Sequence, residues 1–173
     1  MKIDHIFLGV DGTLADFAGA AGLLFDRIGY QPTECDFAAE LAGTPEAFWE
    51  RVDGTANFYA NLPQCDWTDT LLCVALRAGR QVRCVSKPRN AAAACGVVKW
   101  LRKHCPGIHG YMLGEATHLL AGCHRVLVSA CEDEIAQWED SGGNGVLLPQ
   151  PWNRHRAFCS ERVGFVQDAL RAL

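Results

Sequence analysis

The sequence predicts an α/β protein, with a Rossmann-like parallel sheet flanked by helices and a small helical cap. Two observations lead to this prediction. Short apolar runs alternate with helical patterns along most of the chain, and this alternation is typical of a parallel sheet with right-handed crossovers. In addition, the first apolar run, Ile3–Leu8, is followed by the turn signal Asp11–Thr13 and then by a helical pattern. A loop at the carboxyl end of such a strand is where ligands and catalytic groups gather in open α/β sheets.

Length and composition indicate one globular domain over residues 1–173. Nearly half of the residues are apolar (49%), and the formal net charge is only -4, with no basic block. We therefore expect no nucleic-acid partner. No apolar run approaches the roughly 20 residues that span a bilayer, and the N-terminus lacks the layout of a signal peptide. We expect a cytoplasmic protein without a membrane partner, and the oligomeric state stays open.

The chain contains nine cysteines, an odd number without a Cys-x-x-Cys pair. This usage favours reduced, mostly buried thiols over a disulfide framework. Residues 104–124 concentrate side chains of the metal-ligating types, namely His104, Cys105, His109, His118, Cys123 and His124. Because their spacing matches no common zinc pattern, ordinary core and surface roles are favoured over a zinc site.

Residues 17–63 are predicted to form the helical cap, between core segments 1–16 and 64–173. The expected elements are a helix over 15–28, a short helix to residue 41 that Thr33 begins, a helix that Thr44 and Pro45 begin, and an aromatic segment over 57–63. Threonine is a favoured N-cap residue and proline a favoured first helical residue. Placed directly after the Asp11 loop, this segment fits either a lid that contacts a substrate or a set of connecting helices.

The second core segment alternates strands and helices. Its expected elements are a helix over 67–78 capped by Asp66, a strand over 81–85, a helix to residue 104 capped by Asn90, a weak strand over 110–113, a short helix over 117–121, a strand over 125–128, a helix over 132–139, a strand over 145–148 and a final helix over 161–173. Ser86 and Ser129 are in the exit loops of two of these strands. No repeat, low-complexity tract or long linker interrupts the series.

Several landmarks occur together in one order along the chain. They are the first strand with Asp11–Phe17, the segments Phe58–Pro63 and Val85–Pro88, Trp100 with Leu101, Ile135–Glu139 and Gly142–Gly145. This set resembles the haloacid dehalogenase (HAD) superfamily, and within it the 5'(3')-deoxyribonucleotidase branch. The resemblance covers nearly the whole chain. It implies hydrolysis of phosphomonoesters through an aspartyl-phosphate, with Mg²⁺ as cofactor.

The first motif of that family retains one of its two carboxylates. By the resemblance, Asp11 has the position of the general acid and base, and Ser86 that of a hydroxyl that holds phosphoryl oxygens. The nucleophile position is Gly9. Because glycine has no side chain, it can form no phosphoaspartate and offers Mg²⁺ no carboxylate.

The remaining motifs are altered as well. The family lysine is expected three residues before Trp100, where the chain has Val97. Lys99 lies roughly 200° farther around a helix of about 3.6 residues per turn and should point away. The family's aspartate pair corresponds to Ser129 and Ala130. With the nucleophile, the lysine and the metal ligands all replaced, we interpret the chain as a pseudoenzyme and expect no cofactor.

The pocket inherited with the fold is the candidate binding site. Its expected phosphate or ligand contacts are Gly12, Thr13, Ser86, Phe17 and Phe58, and Trp49 and Tyr59 are expected to line it as well if it binds a base. Structural roles are the alternative: the Asp11 carboxylate can accept loop N–H bonds or cap the next helix, strand-end hydroxyls commonly bind the backbone, and aromatic residues at helical spacing are usually core. Cys131 has no partner identifiable from the sequence that would make it a nucleophile.

Two classes of function follow. The first is a catalytically degenerate 5'-nucleotidase homologue, with a nucleotide, a phosphate ligand or a protein partner bound through the pocket or an outer surface. The alternative is an active, Mg²⁺-dependent phosphomonoester hydrolase of the 5'(3')-deoxyribonucleotidase type with a shifted set of groups, for instance Asp11, Ser86 and Glu132 around a metal. A purely structural subunit of an oligomer would show neither turnover nor ligand-induced stabilisation.

Overall fold

A five-stranded parallel sheet forms the centre of the computed structural model, which describes residues 2–79 and 81–173. The strands are β1 (His5–Gly9), β2 (Gln81–Ser86), β3 (Tyr111–Leu113), β4 (Arg125–Ser129) and β5 (Asn144–Leu147). Their order across the sheet is β3-β2-β1-β4-β5, and every neighbouring pair is parallel. The predicted α/β, Rossmann-like class is confirmed.

Helices fill the connections between the strands. They are α1 (Phe17–Leu24), α2 (Ala38–Ala42), α3 (Pro45–Gly54), α4 (Thr68–Ala78), α5 (Ala91–His104), α6 (Glu132–Asp140) and α7 (Arg162–Ala172), with 3₁₀ turns at Tyr59–Asn61, Thr117–Leu120 and Arg156–Glu161. Within the described residues, none of these helices combines the length and the apolar character needed to cross a membrane.

Strand β1 lies at the centre of the sheet and is buried on both faces. Ile6 and Leu8 belong to the larger hydrophobic cluster, whereas Phe7 between them belongs to a second cluster with Trp138. The Phe7 and Trp138 ring centroids are 5.2 Å apart. Since successive side chains of a strand point to opposite faces, a central parallel strand is an unbroken apolar run, which is the pattern that predicted it.

Two predicted helix starts are confirmed. Thr44 occupies the N-cap of α3, where its hydroxyl accepts a hydrogen bond from the Ala47 amide at 3.2 Å, and Pro45 is the first helical residue. Asn90 occupies the N-cap of α5, where its side-chain oxygen accepts from the Ala93 amide at 2.8 Å. Both starts depend on contacts within one turn of helix, so local sequence predicts them.

Helix α1 is shorter than the predicted helix over 15–28. Asp16 is its N-cap and accepts a hydrogen bond from the Gly19 amide at 2.9 Å. The helix ends at Leu24, shortly before Asp26, whose left-handed φ is 57°. The chain then returns over α1, where a Cβ added to Gly22 would be only 2.5 Å from that of Tyr30. The predicted length was wrong because this packing of the returning chain is not encoded in helical periodicity.

Two other predicted helix starts were wrong. Helix α2 begins at Ala38 and not near Thr33, and the Thr33 hydroxyl contacts the Glu40 carboxylate at 3.4 Å. Helix α4 has Trp67, not Asp66, at its N-cap position. The Trp67 indole N–H donates to a backbone carbonyl of the loop after β1 at 2.8 Å, so a tertiary contact sets the start of α4.

The segment 17–63 packs its aromatic residues into the same hydrophobic cluster as one face of β1. The Phe17 ring lies 5.5 Å from that of Phe58, 6.0 Å from Tyr59 and 6.1 Å from Trp49, measured between centroids. The helical content of this segment agrees with the predicted cap. Its role as a separate lid stays a prediction.

All nine cysteines are free, but only Cys65, Cys84 and Cys105 are buried. The prediction that most of them are buried was wrong, because Cys73 and Cys95 lie on solvent-facing sides of α4 and α5. Over residues 2–79 and 81–173, which include the segment 104–124, no group of three or more His, Cys, Asp or Glu side chains could hold a metal ion.

Candidate functional site

The loop between β1 and α1 is held in one conformation by its own backbone. The Val10 amide donates to the Val85 carbonyl of β2 at 3.1 Å, and the Leu14 amide donates back to the Val10 carbonyl at 2.9 Å. Gly12 has a φ of +69°, in the left-handed region that favours glycine. The turn places Asp11 at the carboxyl edge of the sheet.

Distant parts of the chain clamp the same loop. The Thr13 hydroxyl accepts a hydrogen bond from the Ala130 amide at 3.0 Å, and the Gly12 carbonyl accepts one from Gln150 Nε2 at 2.7 Å. Arg162 in turn donates to Gln150 Oε1 at 2.9 Å. Thr13 is fully buried, with 0% of its surface exposed, so its hydroxyl supports the loop rather than the pocket surface.

A pocket of about 220 Å³ lies where the ends of β1, β2 and β4 meet the cap. Eight positions singled out from the sequence line it: Gly9, Asp11, Gly12, Phe17, Trp49, Tyr59, Ser86 and Ala130. Other lining residues were missed or left without a partner, among them Cys35, Asp36, Lys87, Arg89, Cys131, Glu134 and Trp152. Thr13, Phe58 and Ser129 lie outside the lining. The sequence therefore locates the pocket but not most of its charged groups.

Asp11 is reached by solvent through the pocket, although protein surrounds its carboxyl on the other sides. Burial raises the pKa of Asp11 to about 6, and the negative charge of Glu134 adds to this rise. The Ser86 hydroxyl donates to Asp11 Oδ2 at 3.4 Å and opposes the rise. The carboxyl thus exchanges its proton slightly below neutral pH.

An ion pair lies beside Asp11. Lys87 Nζ is 3.4 Å from Glu134 Oε1, and Ser129 Oγ donates to Glu134 Oε2 at 2.7 Å. The only sequence signal for this pair was the position of Lys87, directly after Ser86 at the end of β2. Glu134 lies in the first turn of α6, where acidic residues are favourable for the helix itself, and this local role concealed its contact with the pocket.

The positions that the resemblance assigns to the nucleophile and to the lysine place no carboxylate or amine in the pocket. A Cβ added to Gly9 would lie 3.1 Å from Thr13 Oγ1 and 3.4 Å from Ser129 Oγ, so hydroxyls already occupy the space beside it. Val97 is buried in the core, with 1% of its surface exposed. Lys99 lines a second, separate pocket, which agrees with the expectation that it points away.

The groups present do not fit the Mg²⁺ ion that the resemblance implies. Mg²⁺ prefers an octahedral set of oxygen ligands that includes carboxylates. The carboxylates that line the pocket are those of Asp11, Asp36 and Glu134. The charge of Glu134 is already offset by Lys87, and among the described residues no three such side chains are placed to hold a metal ion. Glu132 is not among the lining residues; its carboxylate accepts a hydrogen bond from the Arg154 amide at 2.6 Å. The shifted set of Asp11, Ser86 and Glu132 is therefore not assembled.

The cap supplies an aromatic wall. Phe17, Trp49 and Tyr59 line the pocket, whereas Phe58 packs edge-on against Phe17 behind that wall. The guanidinium carbon of Arg89 lies 4.2 Å from the centre of the Trp49 ring. The pocket thus combines aromatic faces with two cationic side chains.

Solved structures with this architecture have low sequence identity to the chain. The L-2-haloacid dehalogenase from Xanthobacter autotrophicus matches with a TM-score of 0.60 and 12% identity, over 97% of this chain and 88% of that chain. A hydrolase from Streptococcus pneumoniae TIGR4 matches with a TM-score of 0.57 and 16% identity, over 92% of this chain and 100% of the other. A HAD-superfamily hydrolase of subfamily IA from Geobacter sulfurreducens matches with a TM-score of 0.55 and 13% identity, over 98% and 97%.

The chain has the HAD-like fold. No protein-family model matches its sequence, and comparison with curated protein sequences finds no match. Within this HAD-like fold, Asp11 and Ser86 meet at the carboxyl edge of the sheet, close to Gly9 and Ala130. The likeness at these identities concerns the fold alone, so the chemistry of the pocket must be argued from its own residues.

Proposed function

We propose that this protein is a catalytically degenerate homologue of the 5'(3')-deoxyribonucleotidases, with a binding or regulatory role. One observation carries the proposal. At the end of β1, from which the family nucleophile would project, the chain has a buried glycine, Gly9, whose missing side chain leaves no atom to attack phosphorus. Nucleophilic phosphoryl transfer needs that atom, whatever else the pocket retains.

The charges around Asp11 support the same conclusion. In a working site, the negative charge of a phosphate is offset by a metal ion or by cationic side chains. Here Lys87 is engaged by Glu134 at 3.4 Å, and the charge of Glu134 disfavours ionised Asp11. An anionic group placed directly against Asp11 would therefore be repelled.

The aromatic wall of the pocket suits a small ligand with an aromatic ring and an anionic group, such as a nucleotide. Trp49 is partly exposed there, and the Arg89 guanidinium lies over its ring at 4.2 Å, so a base can pack against this pair. Base stacking on an aromatic residue contributes roughly 1–3 kcal/mol, and a guanidinium binds phosphate without a metal. We assign the anionic group of the ligand to Arg89 rather than to a direct contact with Asp11.

The test combines turnover and binding on the same preparation. With deoxynucleoside monophosphates and Mg²⁺, we expect no phosphate release above that of the Asp11→Asn variant. A nucleotide at about a hundredfold excess over its Kd should raise Tm by about 5–10 °C. Arg89→Gln should reduce that rise, whereas Arg102→Gln, an exposed control on α5, should leave it unchanged.

Two other outcomes would contradict the proposal, and each points to a different function. Phosphate release that Asp11→Asn abolishes would establish the hydrolase alternative. Absence of both turnover and any nucleotide-induced shift in Tm would instead favour recognition of a protein partner through an outer surface.

A further inference from the structure

Strand β3 forms an edge of the sheet that the described parts of the chain leave uncovered. Tyr111 and Met112 of this strand are 36% and 43% exposed, whereas Val146 and Leu147 of β5, at the opposite edge, are buried. Soluble proteins commonly protect an exposed edge with charged residues, proline or a covering segment. Strand β3 contains no charged residue and no proline. This edge is therefore free to pair with another strand.

The backbone of β3 offers two residues to such a strand. The Gly114 amide donates to the Ser86 carbonyl of β2 at 3.0 Å, and the Gly110 carbonyl accepts a hydrogen bond from β2 at 3.1 Å. Because alternate residues of a parallel strand bond to the same neighbour, the amides and carbonyls of Tyr111 and Leu113 face away from β2. No hydrogen bond from any other described element reaches them.

We propose that β3 pairs with β3 of a second copy of this chain, antiparallel and centred on Met112, so that the two sheets join into one. The two-fold axis places Tyr111 opposite Leu113 of the second copy, and Leu113 opposite its Tyr111. Both pairs use the backbone groups that face outward. In an antiparallel ladder, each pair of this kind exchanges two hydrogen bonds.

The side chains of β3 match each other in this register. Since successive side chains point to opposite faces, Tyr111 and Leu113 share one face of the sheet and Met112 lies on the other. Met112 lies opposite Met112 of the second copy, at the position where the Cα atoms of an antiparallel pair approach to about 4.5 Å. On the other face, Tyr111 packs against Leu113 of the second copy. Apolar cross-strand pairs of this kind stabilise a sheet.

The residues that flank β3 match in the same register. His109 lies opposite Glu115 of the second copy, and both residues are exposed. The Val82 amide donates to His109 Nδ1 at 3.0 Å, so the ring proton is on Nε2, from which it can be donated to a carboxylate. Between them, a Cβ added to Gly110 or Gly114 would meet no atom within 4 Å. Both ends of β3 therefore leave room for a neighbouring strand.

This symmetry favours a second copy over an unrelated extended segment. Extended peptides also bind exposed sheet edges, but they need not match the order of residues around Met112. Here each position on one side of Met112 has its complement at the same distance on the other side, which is what an interface between identical subunits requires. The paired segment is short, so we expect a small interface that is occupied at high protein concentration.

The experiment measures the mass of the full chain by light scattering and sedimentation velocity, from about 1 to about 200 µM. We expect the mass to rise from 18.9 kDa towards twice that value. Met112→Lys should keep the mass of the monomer throughout, because two ammonium groups would face each other across the axis. Ile28→Lys is the matched control. Ile28 is 89% exposed on the cap, and its replacement should leave the dimer unchanged.

A charge exchange at Met112 tests the register itself. Met112→Glu should also be a monomer on its own, whereas an equimolar mixture with Met112→Lys should restore the dimer, because opposite charges then face each other. In the wild type at about 200 µM, the amides of Tyr111 and Leu113 should exchange with solvent about tenfold more slowly than in Met112→Lys.

Three outcomes would overturn the proposal: a wild type that is monomeric throughout, a dimer that persists in Met112→Lys, or a mixture of the two Met112 variants that stays monomeric although each keeps the wild-type Tm. Where either variant has a lowered Tm, Tyr111→Pro decides, since it removes an outward amide and spares the bonds to β2. A dimer retained in Tyr111→Pro would contradict the pairing. None of these measurements uses phosphate release or nucleotide binding, so their failure is distinguishable from failure of the proposed function.

Discussion

Asp11 is a carboxyl whose surroundings disfavour its charge. Its carboxyl is accessible from the pocket, yet burial and the charge of Glu134 raise its pKa to about 6. In a phosphatase that proton would serve the leaving group. Beside Gly9, which has no nucleophile to offer, the same carboxyl accepts a hydrogen bond from Ser86 and is an unfavourable charge in the folded state.

The stability of the Asp11→Asn variant tests whether the pKa of Asp11 is raised in the folded protein. The pKa of Asp11 is higher in the folded than in the unfolded protein, so folding favours the protonated carboxyl. The protonated carboxyl contributes its full stabilisation of the folded state below the unfolded pKa of about 3.8, and this stabilisation is lost as the pH rises through about 6. We expect the Tm of Asp11→Asn to exceed that of the wild type at pH 7.5, by on the order of 1–3 °C. The difference should shrink at pH 4.5, and a difference independent of pH would contradict the assignment.

At the scale of elements, helix starts divide into those that local contacts determine and those that tertiary contacts determine. Asn90 caps α5 with its own side chain, which accepts from the Ala93 amide. Asp66 has the residue type of a cap, but α4 begins one residue later, where the Trp67 indole donates to the loop after β1. Asparagine and aspartate are both favoured at helix starts, but only Asn90 caps its helix.

A pair of alanine variants separates the two cases. Asn90→Ala should lower the free energy of unfolding by about 1 kcal/mol, because the first turn of α5 loses its cap. Asp66→Ala should change it by less than about 0.5 kcal/mol, as is usual for an exposed substitution away from such features. Denaturant unfolding measures both. An equal loss in the two variants would mean that Asp66 stabilises α4 after all.

At the scale of the whole molecule, the cap and the sheet share one hydrophobic cluster. Phe48 of α3, with 1% of its surface exposed, belongs to the same cluster as Ile6 and Leu8 of β1. Its ring also packs 6.4 Å from that of Phe17 in the pocket wall. A cap that packs in this way should unfold together with the sheet.

The Phe48→Ala variant tests this shared core. Removal of a buried phenylalanine ring costs about 3–5 kcal/mol. We expect tryptophan fluorescence and far-UV circular dichroism to give coincident unfolding transitions in the wild type, and both to shift to lower denaturant in the variant. An early transition seen by fluorescence alone would instead indicate a cap that unfolds separately.

The sequence predicted some of the pocket residues and missed others. Gly9, Asp11 and Ser86 were singled out by matching the chain to the first two motifs of the family it resembles, and the parallel sheet brings them to one edge. Lys87 and Glu134 were missed, because nothing in the residues next to either one indicates a role in the pocket. Their role depends on the ion pair that they form across the fold. Mutual contact across the fold leaves no periodic signal in a single sequence.

Sequence alone determined the order of strands and helices, the burial of the first strand and the absence of a side chain at Gly9. These follow from properties that act over a few residues, namely hydrophobic periodicity, helix capping and the presence or absence of a side chain. Tertiary structure alone decided the length of α1 and the pairing of Lys87 with Glu134. Each depends on which distant segments pack against each other, because proximity in the fold changes charge, access to solvent and the space left for the chain.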